Sequence, residues 1–289
     1  MNPAVKNWAR ALRAYSFTAT VIPVLCAFLL ARSQNLPAAW PLFPLMLFCA
    51  LLLHAGVNLL NDYYDFVLGF DTAEARGSSG LLTENIVKPE YMLRRGRFYL
   101  FAGAATGLLL AAARGWQLLL MGIAGLAGAL FYSHRSGYKY KGLGEPFVFF
   151  LMGPLLFGGA FYAATGTLTG AAIWPALSCG CLVTAILLVN NLRDIKMDSA
   201  AGFITLPMRL GAKWTKKLYV ALVVAAFAAL AATGVLGLFL PMLCLPFAWR
   251  RIRAVLTAGE LETDLAAAPQ QTAALYLIFG VLLAAGLSL

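Results

Sequence analysis

Nine apolar runs, separated by polar segments, divide the chain from end to end. They cover residues 15–31, 42–60, 98–113, 116–132, 147–164, 171–189, 218–233, 235–249 and 272–287. A helix of about 20 apolar residues crosses the hydrocarbon core of a bilayer, and the runs are of this length or slightly shorter. Because lipid offers no hydrogen bonds to the backbone, the runs are predicted to be helices. The pattern predicts an all-α integral membrane protein with nine transmembrane helices in a single domain, residues 1–289.

Composition supports a membrane protein rather than a soluble domain. Of the 289 residues, 61% are hydrophobic and only 12% are charged, whereas soluble domains carry about 25% charged residues. The mean hydropathy is +0.79. The five cysteines all lie within apolar runs, which together with their odd number argues against a disulfide framework. They are interpreted as small apolar side chains, and they are Cys26, Cys49, Cys179, Cys181 and Cys244.

The distribution of charge predicts how the chain lies in the membrane. With a cytoplasmic N-terminus, 20 of the 22 lysines and arginines fall on the cytoplasmic side, and only Arg32 and Arg114 fall outside. This bias satisfies the positive-inside rule with nine spans, the N-terminus inside and the C-terminus outside. All 12 acidic residues fall on the same side, so the chemistry is expected at the cytoplasmic face. The net charge of +10 is therefore a topology signal, and no nucleic-acid partner is expected.

The second apolar run ends in a group of carboxylates and amides. Asn58, Asn61, Asp62 and Asp65 are three or four residues apart, so they share one face of a helix, and Asp71 follows. One Asp at mid-membrane costs about 2.5–3.5 kcal/mol, and less near the interface. Close carboxylates repel unless a cation lies between them, and oxygen ligands suit Mg²⁺. The stretch predicts a magnesium site, with a solvated helix end as the alternative.

A second acidic stretch ends the sixth run in the same way. Asn191, Asp194 and Asp198 have the spacing i, i+3 and i+7, which predicts one helical face. Each stretch lies on the second helix of a block of four. This predicts two four-helix halves plus a ninth helix, around a cavity open to the cytoplasmic face. Two such sites are suited to holding a diphosphate through bridging Mg²⁺.

Cationic and aromatic residues near the acidic stretches are candidate substrate ligands. A diphosphate leaving group needs cations that accept its developing charge. The candidates are Arg193 and Lys196 within the second stretch, and Arg76, Lys139 and Lys141 in adjoining loops. For each, ordinary topology charge is the alternative. Tyr64 and Tyr138 belong to an aromatic group that suits either carbocation stabilisation or an interfacial belt. His54 suits either an acceptor-binding role or packing between helices.

These motifs resemble those of the UbiA-type membrane prenyltransferases over nearly the whole chain. The two Asp-rich motifs of that family resemble Asn61-Asp62-Tyr63-Tyr64-Asp65 with Asp71, and Asn191-Leu192-Arg193-Asp194 with Asp198. Three further pieces are most similar to the 1,4-dihydroxy-2-naphthoate prenyltransferases of menaquinone synthesis. They are Asp71-Thr72 with Gly77-Ser78-Ser79-Gly80, Tyr140-Lys141-Gly142-Leu143-Gly144-Glu145, and Thr205-Leu206-Pro207-Met208-Arg209-Leu210-Gly211.

The resemblance implies a Mg²⁺-dependent transfer of a polyprenyl group from a polyprenyl diphosphate to an aromatic acceptor, giving demethylmenaquinone. It implies Asp62, Asp65, Asp194 and Asp198 as metal ligands with help from Asn61 and Asn191. Arg193, Lys196 and Lys141 would neutralise the diphosphate. The expected location is the bacterial cytoplasmic (inner) membrane, without an obligate protein partner. Sibling enzymes with 4-hydroxybenzoate, haem or a lipid as acceptor remain open, as does an ion-coupled transporter.

Overall fold

The computed structural model describes residues 2–71, 78–134, 137–202, 204–259 and 264–289, and these segments are helical throughout apart from short connections. In chain order the helices are α1 (Pro3–Ala11), α2 (Thr18–Ser33), α3 (Phe43–Val67), α4 (Pro89–Arg114), α5 (Trp116–Tyr132), α6 (Gly144–Phe150), α7 (Leu156–Thr165), α8 (Ile173–Arg193), α9 (Ile195–Ala200), α10 (Leu206–Ala231), α11 (Leu245–Thr257) and α12 (Ala268–Ser288). A π-helical turn, Leu151–Leu155, joins α6 to α7 as one rod.

Seven of the helical segments in the described part of the chain are long and apolar enough to cross a membrane. They contain α2, α3, α4, the α6–α7 rod, α8, α10 and α12. The predicted fourth span coincides with α5, which has 17 residues. The predicted eighth span covers a 3₁₀ segment, Leu236–Cys244, followed by α11. The all-helical architecture is confirmed.

Helix ends differ from the predicted loops because polar turns continue beyond the apolar runs. The first 13 residues contain α1, which begins at an Asn2 cap whose Oδ1 accepts the Ala4 N–H at 2.9 Å. The predicted polar loop of residues 71–97 ends earlier, since α4 begins at Pro89, a residue that fits the first turn of a helix. The second predicted loop, 190–217, is largely helical. Helix ends in interfacial water tolerate charged residues, so these helices extend beyond their apolar runs. Hydropathy alone therefore predicts helices that are too short.

The core joins both halves of the chain through the last helix. Helix α12 packs against α2 and α8, and α10 packs along α8. Phe279 of α12 is fully buried, as are Phe28 of α2 and Phe157 of α7. The α6–α7 rod approaches α8 so closely that a methyl group on Gly153 would lie 2.7 Å from the Ala176 carbonyl oxygen. All five cysteines are free and buried, as the sequence predicted.

Candidate active site

Asp62 lies near the end of α3 and pairs with an arginine from the N-terminal segment. Arg13, between α1 and α2, places Nη2 at 2.5 Å from Asp62 Oδ1. The Asp62 side chain is only 1% exposed, and its other oxygen accepts the Ser79 N–H at 3.3 Å. Burial lowers the pKa of Arg13, but the neighbouring groups Asp62, Tyr15 and Asp65 together raise it by more, so the pKa is raised overall. The result is a buried ion pair at the first acidic motif.

Asp65, one turn further along α3, binds the loop that follows α5. The Lys139 ammonium group contacts Asp65 Oδ2 at 2.6 Å and Oδ1 at 2.9 Å. The Tyr140 hydroxyl donates to Oδ1 at 2.8 Å, and the Asn61 amide donates to Oδ2 at 3.0 Å. Lys139 also donates to Asn61 Oδ1 at 2.6 Å. The structure therefore brings Asn61, Asp65 and Lys139 into one cluster, as expected for a shared site.

Asp71 lies beyond the end of α3 and has an unusual carboxyl group. The pKa of Asp71 is raised to about 6, mainly by burial and also by the charges of Asp62 and Asp65, whereas the hydrogen bond from Ser78 opposes the rise. Asp71 is thus within electrostatic reach of the first motif. Arg76, the predicted substrate ligand that follows it, lies outside the described residues.

The second motif lies at the junction of α8 and α9. Arg193 contacts Asp194 in a two-pronged pair, with Nε 2.6 Å from Oδ1 and Nη2 2.6 Å from Oδ2. Its Nη2 also donates to Asn190 Oδ1 at 3.0 Å. The helix that carries Asn191, Asp194 and Asp198 is interrupted at Asp194, because α8 ends at Arg193 and α9 begins at Ile195, although the Asp198 N–H still donates to the Asp194 carbonyl at 2.9 Å. Lys196 is exposed on α9.

Asp198 connects the second motif to the first. The pKa of Asp198 is raised to about 7, mainly by burial and also by Asp194 and Asp65, whereas Lys139 and Arg193 oppose the rise. Asp65 and Lys139 belong to the first half of the chain, so Asp198 lies within electrostatic reach of both motifs. The two acidic motifs therefore lie within electrostatic reach of each other at one end of the bundle.

Three predicted substrate ligands have other contacts in this structure. Asn58 donates to the Leu12 carbonyl at 2.8 Å and so binds the N-terminal segment. The Asn191 amide donates to Glu145 Oε1 at 3.0 Å. The Tyr138 hydroxyl donates to the Gly128 carbonyl at 2.8 Å while its ring stacks on Phe147.

The remaining candidate residues from the sequence are Tyr64, Lys141 and His54. The Tyr64 ring packs edge-on against Tyr63 and His134, and Lys141 is exposed beside a single backbone bridge to Ile204. Both ring nitrogens of His54 contact hydroxyls of the α2 region, Ser16 at 3.1 Å and Thr20 at 2.6 Å. These contacts favour the interpretation of His54 as a residue that packs between helices.

Sequence reasoning missed two polar residues of the site. Arg13 was counted as a topology charge, although it is the partner of Asp62. Glu145, at the start of α6, is 2% exposed, and its Oε2 has no hydrogen-bond partner among the described residues. An acidic residue directly before an apolar run was the available signal for Glu145. Nothing in the local sequence distinguishes Arg13 from the other N-terminal cations.

The site has the donor chemistry for Mg²⁺, but protein cations hold its carboxylates. Carboxylate and amide oxygens are the ligands that Mg²⁺ prefers. In the described part of the chain, no three Asp, Glu, His or Cys side chains come together as a ready metal centre. Instead Asp62, Asp65 and Asp194 pair with Arg13, Lys139 and Arg193. The residues fit Mg²⁺ provided that these cations exchange partners when the metal binds.

A comparison with known families decides the class of the protein. A profile of the UbiA prenyltransferase family matches residues 20–277. The chain belongs to this family. It is a prenyl-transferring enzyme of the membrane with several spanning helices, which argues against the ion-coupled transporter.

Three similar proteins describe the breadth of the match. UbiA prenyltransferase domain-containing protein 1 of Mus musculus is 32% identical over 98% of this chain and 84% of its own length. The 1,4-dihydroxy-2-naphthoate octaprenyltransferase of Bacillus subtilis (strain 168) is 31% identical over 95% of this chain and 90% of its own. A solved UbiA homolog from Archaeoglobus fulgidus, bound to DMAPP and Mg²⁺, superimposes with a TM-score of 0.67 over 96% of this chain and 98% of that one, at 14% identity. This last likeness establishes the fold.

Proposed function

We propose that the protein transfers a polyprenyl group from a polyprenyl diphosphate to 1,4-dihydroxy-2-naphthoate, with Mg²⁺ as its cofactor. The observation that carries the proposal is the meeting of two acidic motifs, each accompanied by a cation, at one end of the bundle. Asp65 with Lys139 comes from the first half, and Asp194 with Arg193 comes from the second. Such a site suits a ligand that is anionic and metal-bound, as a diphosphate is.

Residues of both motifs would share the cofactor. Asp62, Asp65, Asp194 and Asp198 are the proposed ligands, and Asn61 is adjacent with its oxygen turned toward Lys139 and Ser133. Bound Mg²⁺ would neutralise the diphosphate oxygens and make the group easier to expel. The Archaeoglobus fulgidus homolog bound to DMAPP and Mg²⁺ supports this assignment.

The chain's own cations act on the leaving group. As the allylic carbon–oxygen bond breaks, its electron pair goes to the diphosphate, and Lys139 and Arg193 stabilise that charge more than they stabilise the intact substrate. The allylic cation then forms a bond with an electron-rich ring carbon. With dihydroxynaphthoate, the carboxyl group leaves that carbon as carbon dioxide. Apolar helix surfaces next to the site would hold the prenyl chain and exclude water.

The acceptor and the orientation are the finer parts of the proposal. The acceptor rests on the similarity to the Bacillus subtilis octaprenyltransferase and on the pieces that resemble such enzymes. We place the site on the cytoplasmic side of the bacterial inner membrane, with nine spans, the N-terminus inside and the C-terminus outside. In that arrangement α5 and the segment 236–257 also cross the membrane. The charge bias of 20 of 22 basic residues supports this orientation.

The test is an assay of the purified protein with a labelled prenyl diphosphate and a panel of acceptors. We expect prenylation of 1,4-dihydroxy-2-naphthoate in Mg²⁺, loss of activity in EDTA, and recovery when Mg²⁺ is restored. Preferential use of 4-hydroxybenzoate would contradict the acceptor. Full activity in chelator would remove the metal from the proposal.

A further inference from the structure

The N-terminal segment places an arginine directly on the first acidic motif. Arg13 Nη2 lies 2.5 Å from Asp62 Oδ1, and 49 positions separate the two residues in the sequence. The Arg13 side chain is 18% exposed and that of Asp62 is 1% exposed, so water screens this pair very little. Arg13 Nε is buried without a hydrogen-bond partner among the described residues. The guanidinium therefore has unused donor capacity next to the carboxylate.

Two contacts fix the backbone around Arg13. The Asn58 side chain donates to the Leu12 carbonyl at 2.8 Å, and the Ser16 hydroxyl donates to the Arg13 carbonyl at 2.8 Å. Arg13 itself adopts a left-handed conformation, with φ 49° and ψ 49°, which is uncommon for a residue with a side chain. Because Asn58 lies one turn before Asp62 on α3, the same helix that carries the carboxylate also holds the arginine in place.

Metal binding at Asp62 weakens this pair. If Mg²⁺ takes Oδ1, the oxygen that contacts Arg13 Nη2, the guanidinium loses that contact. Arginine remains charged in proteins, so it cannot relieve the loss by releasing its proton. A buried charge without a partner is strongly unfavourable. Arg13 then requires a new anion close to Asp62, and the diphosphate that arrives with the metal is such an anion.

We propose that Arg13 is a diphosphate-binding residue that pairs with Asp62 in the metal-free enzyme and moves to the diphosphate when Mg²⁺ takes that carboxylate. The inference rests on the proposed function, since it assumes a diphosphate substrate and Mg²⁺. It adds a third cation to Lys139 and Arg193, contributed by a segment outside both acidic motifs. It also couples the two ligands. Mg²⁺ at Asp62 releases Arg13 for the diphosphate, and a diphosphate at Arg13 leaves Asp62 available to Mg²⁺.

This coupling gives Arg13→Gln effects of opposite sign on the two ligands. Without diphosphate, Arg13 competes with Mg²⁺ for Asp62, so its removal should tighten Mg²⁺ binding by about 10-fold. With Mg²⁺ present, the diphosphate loses a charged donor, so its affinity should fall by about 10- to 100-fold. An ordinary structural ion pair predicts that both affinities fall or that neither changes.

Isothermal titration calorimetry on the full-length protein in detergent measures both quantities. Mg²⁺ is titrated alone, and inorganic pyrophosphate is then titrated at saturating Mg²⁺. Arg10→Gln is the matched control. Arg10 lies three residues before Arg13, carries the same charge and pairs with Glu84 at an exposed position. We expect Arg10→Gln to change either affinity by less than about 3-fold. Two lowered affinities in Arg13→Gln, or two unchanged ones, would overturn the proposal.

Arg13→Lys keeps the test decisive if Arg13→Gln does not fold. Lysine retains the charge but loses the forked geometry, so Mg²⁺ affinity should stay near the wild-type value while pyrophosphate affinity falls. Unchanged pyrophosphate affinity in Arg13→Lys, together with a normal thermal unfolding curve, would contradict the proposal. If the wild-type protein itself neither binds Mg²⁺ with pyrophosphate nor transfers a prenyl group, the proposed function fails first. If the wild-type protein binds both ligands and the Arg13 variants bind them with the same affinities, only this inference is refuted.

Discussion

The Lys139 ammonium group spans both carboxylate oxygens of Asp65, at 2.6 and 2.9 Å, and joins the end of α3 to the loop after α5. Asp65 also accepts the Tyr140 hydroxyl and the Asn61 amide, so one side chain organises three neighbours. A residue with this many partners is sensitive to the loss of its charge. A substitution at Asp65 must therefore be compared with wild type in both activity and stability.

We expect Asp65→Asn to lower the rate of prenyl transfer by about 10²-fold or more, because it weakens metal binding and releases Lys139 from its position. Initial rates at saturating Mg²⁺ measure the effect, and thermal unfolding checks that the protein remains folded. Asp264→Asn is the control, since Asp264 is an exposed acid whose side chain accepts a local bond from the Gly259 N–H. Equal rates for Asp65→Asn and wild type would exclude Asp65 from the site.

The second motif predicts a coupled response of Arg193 and Asp194. Arg193→Lys loses the two-pronged geometry, so kcat should fall by about 10²-fold while KM for the prenyl diphosphate changes less. Because the two side chains contact each other directly, the losses caused by Arg193→Lys and Asp194→Asn should not be additive in the double variant. Steady-state kinetics of both single variants and the double variant test this. Additive losses would mean that the two residues act separately.

Membrane topology is testable with a cysteine label that does not cross membranes. The five native cysteines are buried, which keeps the background labelling low. In inverted vesicles and intact cells, we expect outside labelling for Gln117→Cys and for a cysteine added after Leu289, and inside labelling for Asp264→Cys. These positions follow from nine spans. An outside Asp264→Cys with an inside C-terminus would show that the segment 236–257 does not cross.

Close packing predicts that Gly153 does not tolerate a side chain. The Cβ of Gly153→Ala would lie 2.7 Å from both the Ala176 carbonyl oxygen and the Gly180 Cα of α8. Both are backbone atoms, so α8 must shift, and we expect a loss of about 1–3 kcal/mol in stability. The control is Gly122→Ala in α5, where the added methyl group meets no atom within 4 Å. Thermal unfolding in detergent compares them, and equal midpoints would contradict the packing argument.

The sequence by itself determined the helical class and the spacing of the acidic motifs, and it predicts that the chemistry lies at the cytoplasmic face. These features are local, because an apolar run or an Asp three residues from an Asn is visible within one helix. The loop charges also predict Lys139 as a candidate diphosphate ligand, but its contact with Asp65, 74 positions away, was not predicted.

Only the tertiary structure decided which cation holds which carboxylate. Arg13 is one of several N-terminal basic residues, and its pairing with Asp62 depends on how α1, α2 and α3 pack. In the same way, the Asn191 partner of Glu145 comes from a helix that is distant in the sequence. Ion pairs over such distances form when burial removes competing water, and burial is a property of the assembled bundle rather than of any single segment.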